Sequence, residues 1–143
     1  MTGVNMERYL GRFSPYLYAI MRIVIGFLFM SHGAQKLFGV FGGMTGAGDA
    51  APVFSIVGFA GLIEFCGGLL IMAGWLTGYV AFIASGQMAV AYWMGHYPQG
   101  FWPLANSGEL AVLYCFIFLY IASQGGGVWS VDRALGSSQS SAT

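Results

Sequence analysis

The sequence predicts an all-α fold, a polytopic membrane four-helix bundle with both termini cytoplasmic, and three observations carry that expectation. Only 7% of the 143 residues are charged and 57% are apolar, whereas an ordinary soluble domain has about 25% charged residues. Five basic and five acidic side chains cannot cover the surface of a soluble domain of this size. Four segments, at 16–38, 54–76, 77–96 and 104–123, are apolar and long enough to cross a bilayer, which takes about 20 helical residues. None of them alternates apolar and polar residues as a membrane β-strand would. An aromatic content of 17% excludes disorder, and zero net charge gives no electrostatic case for nucleic acid.

Taken in order, residues 1–15 read as a polar N-terminal tail holding Arg8 and Arg12. An apolar run follows, which mimics a signal peptide. Ser31-His32-Gly33-Ala34 is nevertheless a poor cleavage site, so the segment is expected to stay as the first helix. The second and third helices meet at Gly74-Trp75-Leu76-Thr77-Gly78, too short a link for anything but an antiparallel hairpin. The loop at 39–52 is rich in Gly and Ala and reads as a flexible cover. The loop at 97–103 is an aromatic, proline-stiffened cap. Residues 124–143 form a cytoplasmic tail whose Ser-rich end is expected to be disordered. Arg8, Arg12 and Arg133 lie on the two tails, against Lys36 alone on the opposite side, and this sets the orientation. Trp75 and Trp129 then mark the inner interface, with Trp93 and Trp102 near the outer one.

An ionisable group inside a membrane helix is costly unless paired or hydrated, so each is a functional candidate. Arg22, Glu64 and Glu109 are the candidate catalytic groups, and His32, Lys36, Gln35, His96 and Asn106 the candidate ligand-binding ones. At 1.5 Å per residue, Arg22 lies about 10 Å above the inner end of the first helix and Glu64 about 15 Å below the outer end of the second. They should share a depth, with Glu64 the counter-ion of Arg22. His32, Lys36, His96, Asn106 and Glu109 form a second, shallower cluster. Gln87 falls on the opposite side of the third helix from His96 and is expected to serve another surface.

Simpler structural roles stand beside these. Arg22 with Glu64 could only pin two helices together. His32 and His96, with Met30, Met88 or Met94, are soft enough donors for Cu(I), but no HxxxH or Met repeat supports this and no metal is assigned. Cys66 and Cys115 read as core fillers rather than a redox pair. Gly58, Gly61 and Gly68 suit close helix contact, or a slot beside Glu64 for a flat ligand.

The first helix carries Arg22 and then His32-Gly33-Ala34-Gln35-Lys36-Leu37-Phe38-Gly39, and the second carries Glu64 followed by Gly67-Gly68. Asn106-Ser107-Gly108-Glu109 opens the fourth, and Gly125-Gly126-Gly127-Val128-Trp129-Ser130-Val131-Asp132 closes the ordered chain. In this order the motifs resemble the DoxX family of small four-helix bacterial membrane proteins. The resemblance covers about residues 16–135 and singles out Arg22, His32, Lys36, Glu64, Asn106 and Glu109. It implies a multi-pass protein of the bacterial inner membrane, associated with quinol oxidase or thiosulfate:quinone oxidoreductase chemistry. No haem-attachment or dinucleotide fingerprint is present. The expectation is an accessory subunit that binds a quinone or similar lipophilic molecule, with no covalent cofactor, contacting membrane lipids, redox-enzyme subunits and further copies of itself. The alternatives are a small-molecule or metal-ion transporter component and a non-catalytic scaffold.

Overall fold

A computed structural model describes residues 5–140. Among these there are six α-helices and no strand: α1 Met6–Gly11, α2 Ser14–Phe38, α3 Ile56–Ala73, α4 Thr77–Ala91, α5 Glu109–Gln124 and α6 Val131–Ser140. Short 3-10 turns at Val40–Gly42 and Tyr97–Gln99 and a π-turn at Tyr92–His96 complete the helical structure. By length and composition, α2 and α3 can each cross a membrane, while α4 and α5 have 15 and 16 residues.

The helices α2 and α3 pack most extensively, as an antiparallel pair, because glycine removes the side chains between them. A Cβ added at Gly26 would stand 2.8 Å from the Gly68 carbonyl oxygen, and one at Gly33 only 2.3 Å from the Phe65 nitrogen. This is the close contact expected of Gly61 and Gly68. Gly58 instead faces the carbonyls of Pro52 and Val53 in the preceding loop. The helix α4 lies on α5, where the Ser85 hydroxyl donates to the Cys115 carbonyl at 2.8 Å. Between the two pairs, Phe29, Ile71, Met88, Tyr114, Phe118 and Ile121 form the core, with the Phe29 and Phe118 rings 4.6 Å apart.

Element ends follow local chemistry. The Ser55 hydroxyl accepts from the Gly58 amide and starts α3 at Ile56. The fourth long helix begins at Glu109 rather than near 104, because Asn106 folds the chain beforehand. Its side-chain oxygen accepts from Gly108 N and its amide donates to the Gly100 carbonyl, with Ser107 at φ +59°. Both tails hold helix where none was expected. The Asn5 side chain caps α1 by accepting from Glu7 N, and α6 runs through the Ser-rich stretch. The disorder expected after Asp132 is thus contradicted through Ser140, and residues 141–143 lie outside the described residues.

The fold has two distinct ends. At the tail end lie α1, α6 and the α3–α4 turn; at the loop end lie the connections 39–55 and 92–108. The α3–α4 turn puts Leu76 at φ +51° with no side-chain cap for α4. Asp132 supplies that cap from a distance. Its carboxylate accepts from Leu76 N at 2.8 Å, Thr77 N at 3.0 Å and the Thr77 hydroxyl at 2.7 Å. Burial alone would raise the Asp132 pKa, but the Thr77 and Leu76 hydrogen bonds, with the Arg22 charge, hold it below its ordinary value.

Candidate functional site

Glu64, midway along α3, is 1% exposed. Both of its oxygens receive the Lys36 ammonium, and Gln87 Nε2 of α4 donates to Oε1 at 2.8 Å. Lys36 belongs to the last turn of α2, and its stem runs past Gly61. A Cβ there would come within 3.0 Å of Lys36 Cβ. The bare glycine thus lets a lysine rooted at the helix end reach a carboxylate buried inside the fold.

The pair opens on a cavity of about 250 Å³ at the loop end. His32, Gln35 and His96 line it beside Lys36 and Glu64, with Phe29, Met88 and Tyr114 as its apolar wall and Met44 and Ser107 at the loops. The His32 ring meets the Tyr114 ring edge-on at 6.1 Å. His96 Nδ1 lies 3.0 Å from the Asn106 carbonyl oxygen. A carbonyl can only accept, so Nδ1 carries a proton, and in the neutral ring Nε2 is the acceptor. Gln35 donates to the Gly43 carbonyl at 2.9 Å and ties the 39–55 loop to the rim. The lining therefore combines donors (Lys36), acceptors (Glu64, His96 Nε2) and a flat aromatic surface, with the one ammonium balancing the one carboxylate. Gln87 Oε1 is buried without a hydrogen-bond partner.

Three expectations need correction. Arg22 does not pair with Glu64. It is fully buried at the tail end, where its guanidinium donates to the carbonyls of Ile71, Met72 (2.7 Å) and Trp129 (2.8 Å). The depth argument fails because α2 overhangs the end of α3. Arg22 is eight residues into α2, about 12 Å, yet it meets the last turn of α3. Glu109 does not join the shallow cluster; it stands exposed as the first residue of α5, where its charge complements the helix dipole. Gln87 and His96 do not act on unrelated parts of the molecule: His96 lines the cavity, and Gln87, which does not, bonds Glu64 in its wall. The π-turn at Tyr92–His96 inserts an extra residue into the helical turn and rotates His96 toward the cavity into which Gln87-bound Glu64 opens.

His32, Lys36, Gln35, Glu64 and His96 are brought together, and Asn106 supports them from behind through His96. Cys66 is exposed and Cys115 half-buried, both as free thiols. Among the described residues no three His, Cys, Asp or Glu side chains are grouped to hold a metal ion. The contribution of Tyr114 was missed although its spacing with Phe118 and Ile121 is helical. The helix is apolar on every side, so periodicity alone does not select the inward stripe.

The family model described as DoxX matches residues 17–97 of this chain. The chain is also similar to a protein of Haemophilus influenzae described as "Uncharacterized protein", 40% identical over 132 residues, which cover 90% of this chain and 95% of that relative. No solved structure matches it.

Proposed function

The chain belongs to the DoxX family and is a membrane protein, and from that premise we propose that it is a four-pass inner-membrane subunit binding a quinone or similar lipophilic molecule at the loop-end cavity. The four-pass reading is supported by large apolar side chains left exposed on all four long helices, such as Val24 and Phe27, Leu62 and Leu69, Phe82 and Ile83, and Leu113 and Phe116. In water so broad an apolar surface would drive aggregation; in lipid it is the required coat. Arg8, Arg12 and Arg133 favour a cytoplasmic tail end.

The observation that carries the ligand reading is a buried carboxylate–ammonium pair opening on an aromatic-walled cavity. At about 250 Å³ it lies just below the usual ~300–1,000 Å³ of ligand sites, enough for a single substituted ring whose lipid tail leaves between helices. The ring would lie against Tyr114 and Phe29. Lys36 would donate to one carbonyl oxygen, while His96 Nε2 and Glu64 would accept from the hydroxyls of the reduced form. Electrons would pass between the quinone and a partner redox enzyme, which makes this chain an accessory subunit. The packed core of Phe29, Phe118, Ile71 and Ile121 between the two ends favours a site over a conduit through a single copy.

The test is titration of the purified protein in detergent with a short-tailed quinone, read by quenching of its four tryptophans. Saturable quenching, weakened about tenfold in Glu64→Gln with the helical content unchanged, supports the site. Non-saturating quenching that is identical in both proteins would sink it.

A further inference from the structure

The tail end holds a second, two-part cleft that the loop-end site does not use. Its wider part, about 660 Å³, is lined by Ser14, Tyr120, Ser130 and Arg133 among others. A narrower part of about 350 Å³ continues it along Leu10, Leu17 and Met21. Gly11, Ser14, Tyr18 and Tyr120 border both parts. To this shared lining the wider part adds Ser130, Asp132 and Arg133 and the narrower part adds Leu10, Leu17 and Met21, with no side-chain barrier at Gly11.

The wider part carries uncommitted donors. Among the described residues, the Arg133 guanidinium has no ion-pair partner, and the hydroxyls of Ser14 and Tyr120 make no hydrogen bond. The N-terminus of α2 opens here without a side-chain cap, but Pro15 has no N–H and the amides of Phe13 and Tyr16 donate to the Leu10 and Phe13 carbonyls, so the Ser14 amide is the donor this end adds to the cleft. The acid at the cleft, Asp132, has both carboxylate oxygens engaged on the start of α4. Tyr16 and Trp129, both exposed with rings 5.4 Å apart, and Trp75 lie at the same end. Such aromatic belts sit at the headgroup level of a bilayer.

We propose that this cleft binds one anionic phospholipid, its phosphate held by Arg133 and by the hydroxyl and amide of Ser14, and one acyl chain laid along Leu10, Leu17 and Met21. A planar guanidinium suits a phosphate diester in two-point contact. A free phosphate ester shares that chemistry but leaves the apolar arm empty. The proposal requires the chain to lie in a membrane and is independent of what the loop-end cavity takes.

The test uses the purified full chain in neutral detergent with equal amounts of phosphatidylglycerol and phosphatidylcholine, counting retained lipids by native mass spectrometry. Wild type should retain phosphatidylglycerol in preference. Arg133→Gln, at an exposed position, should weaken that retention about tenfold, and Arg133→Lys, which keeps the charge without the two-point contact, should recover only part of it. Gly11→Phe, where an added Cβ meets nothing within 4 Å, should lower it by narrowing the junction. Equal retention of the two lipids, or no effect of Arg133→Gln and Gly11→Phe, overturns the proposal. Displacement of the lipid by an equal concentration of glycerol 3-phosphate overturns it in favour of a free phosphate ester.

Discussion

At the tail end, the buried Arg22 and the half-buried Asp132 are spent on backbone. Arg22 donates to three carbonyls, two from the last turn of α3 and one from the segment before α6, while Asp132 accepts from the amides that start α4. At the loop end, Lys36 and Glu64 are spent on each other, next to a cavity. Backbone groups at a helix terminus are permanent, and burying them unpaired is costly, so the tail-end charges lock the fold. A side-chain pair can exchange partners. Either member can turn to a ligand atom while Gln87 continues to hold the carboxylate. The same residue types thus serve architecture at one end and recognition at the other.

The contrast predicts a graded series of effects. Arg22→Leu, which strands the Met72 and Trp129 carbonyls and leaves that of Ile71 with the Gly74 amide alone, should cost about 3 kcal/mol in reversible unfolding in mixed detergent. An equally large loss from Glu64→Gln would erase the distinction between the ends. Gly33→Ala places a methyl against the α3 backbone and should cost about 2 kcal/mol. It should weaken quinone binding as well, since Gly33 sets the spacing across which Lys36 reaches Glu64; unchanged binding would uncouple packing from the site.

The Lys36–Glu64 pair should behave as a unit. Lys36→Met with Glu64→Leu together should change stability by only about 1 kcal/mol, less than Glu64→Leu alone, because the single variant leaves a lysine without its counter-ion. Additive losses in that double-mutant cycle would make the two positions independent.

The smallest effect concerns acid. Asp132 is held below its ordinary value of 3.8, so its stabilisation is complete above that value and is lost as pH falls through the lowered folded one. Asp132→Asn should cost about 1 kcal/mol at neutral pH and flatten this acid-induced loss in a pH series of melting curves. A wild type and variant that lose stability in parallel below pH 4 would assign the acid sensitivity to other groups.

The helices and several loop-end residues are legible in the sequence, but the division between the two ends is not. Low charge and long apolar runs announced helices, and the glycines of α3 announced close packing. Lys36, His32 and Glu64 stood out as ionisable groups in apolar segments. What could not be read was relative depth. The Arg22–Glu64 pairing assumed that α2 and α3 end level, and a helix overhang is set by tertiary packing rather than by either segment alone. The convergence of His96 with Gln87-bound Glu64 depends on a π-turn, which shifts the angular register by a local insertion that no periodicity count contains. Glu109 was placed inside because α5 was extended back to 104, through residues that Asn106 folds into a turn.

The central claim, that one end locks the fold and the other binds, is tested most directly by a crossed measurement on Arg22→Gln and Glu64→Gln, recording unfolding free energy and quinone affinity for each protein. The account predicts that Arg22→Gln loses stability and keeps the affinity of its folded fraction, whereas Glu64→Gln, which still bonds Gln87 and leaves a Lys36 that is 18% exposed to turn to water, loses less stability than Arg22→Gln and about tenfold in affinity. If both variants lose stability and affinity in proportion, or if neither changes affinity, the two ends do not divide the work and the loop-end cavity is not the binding site.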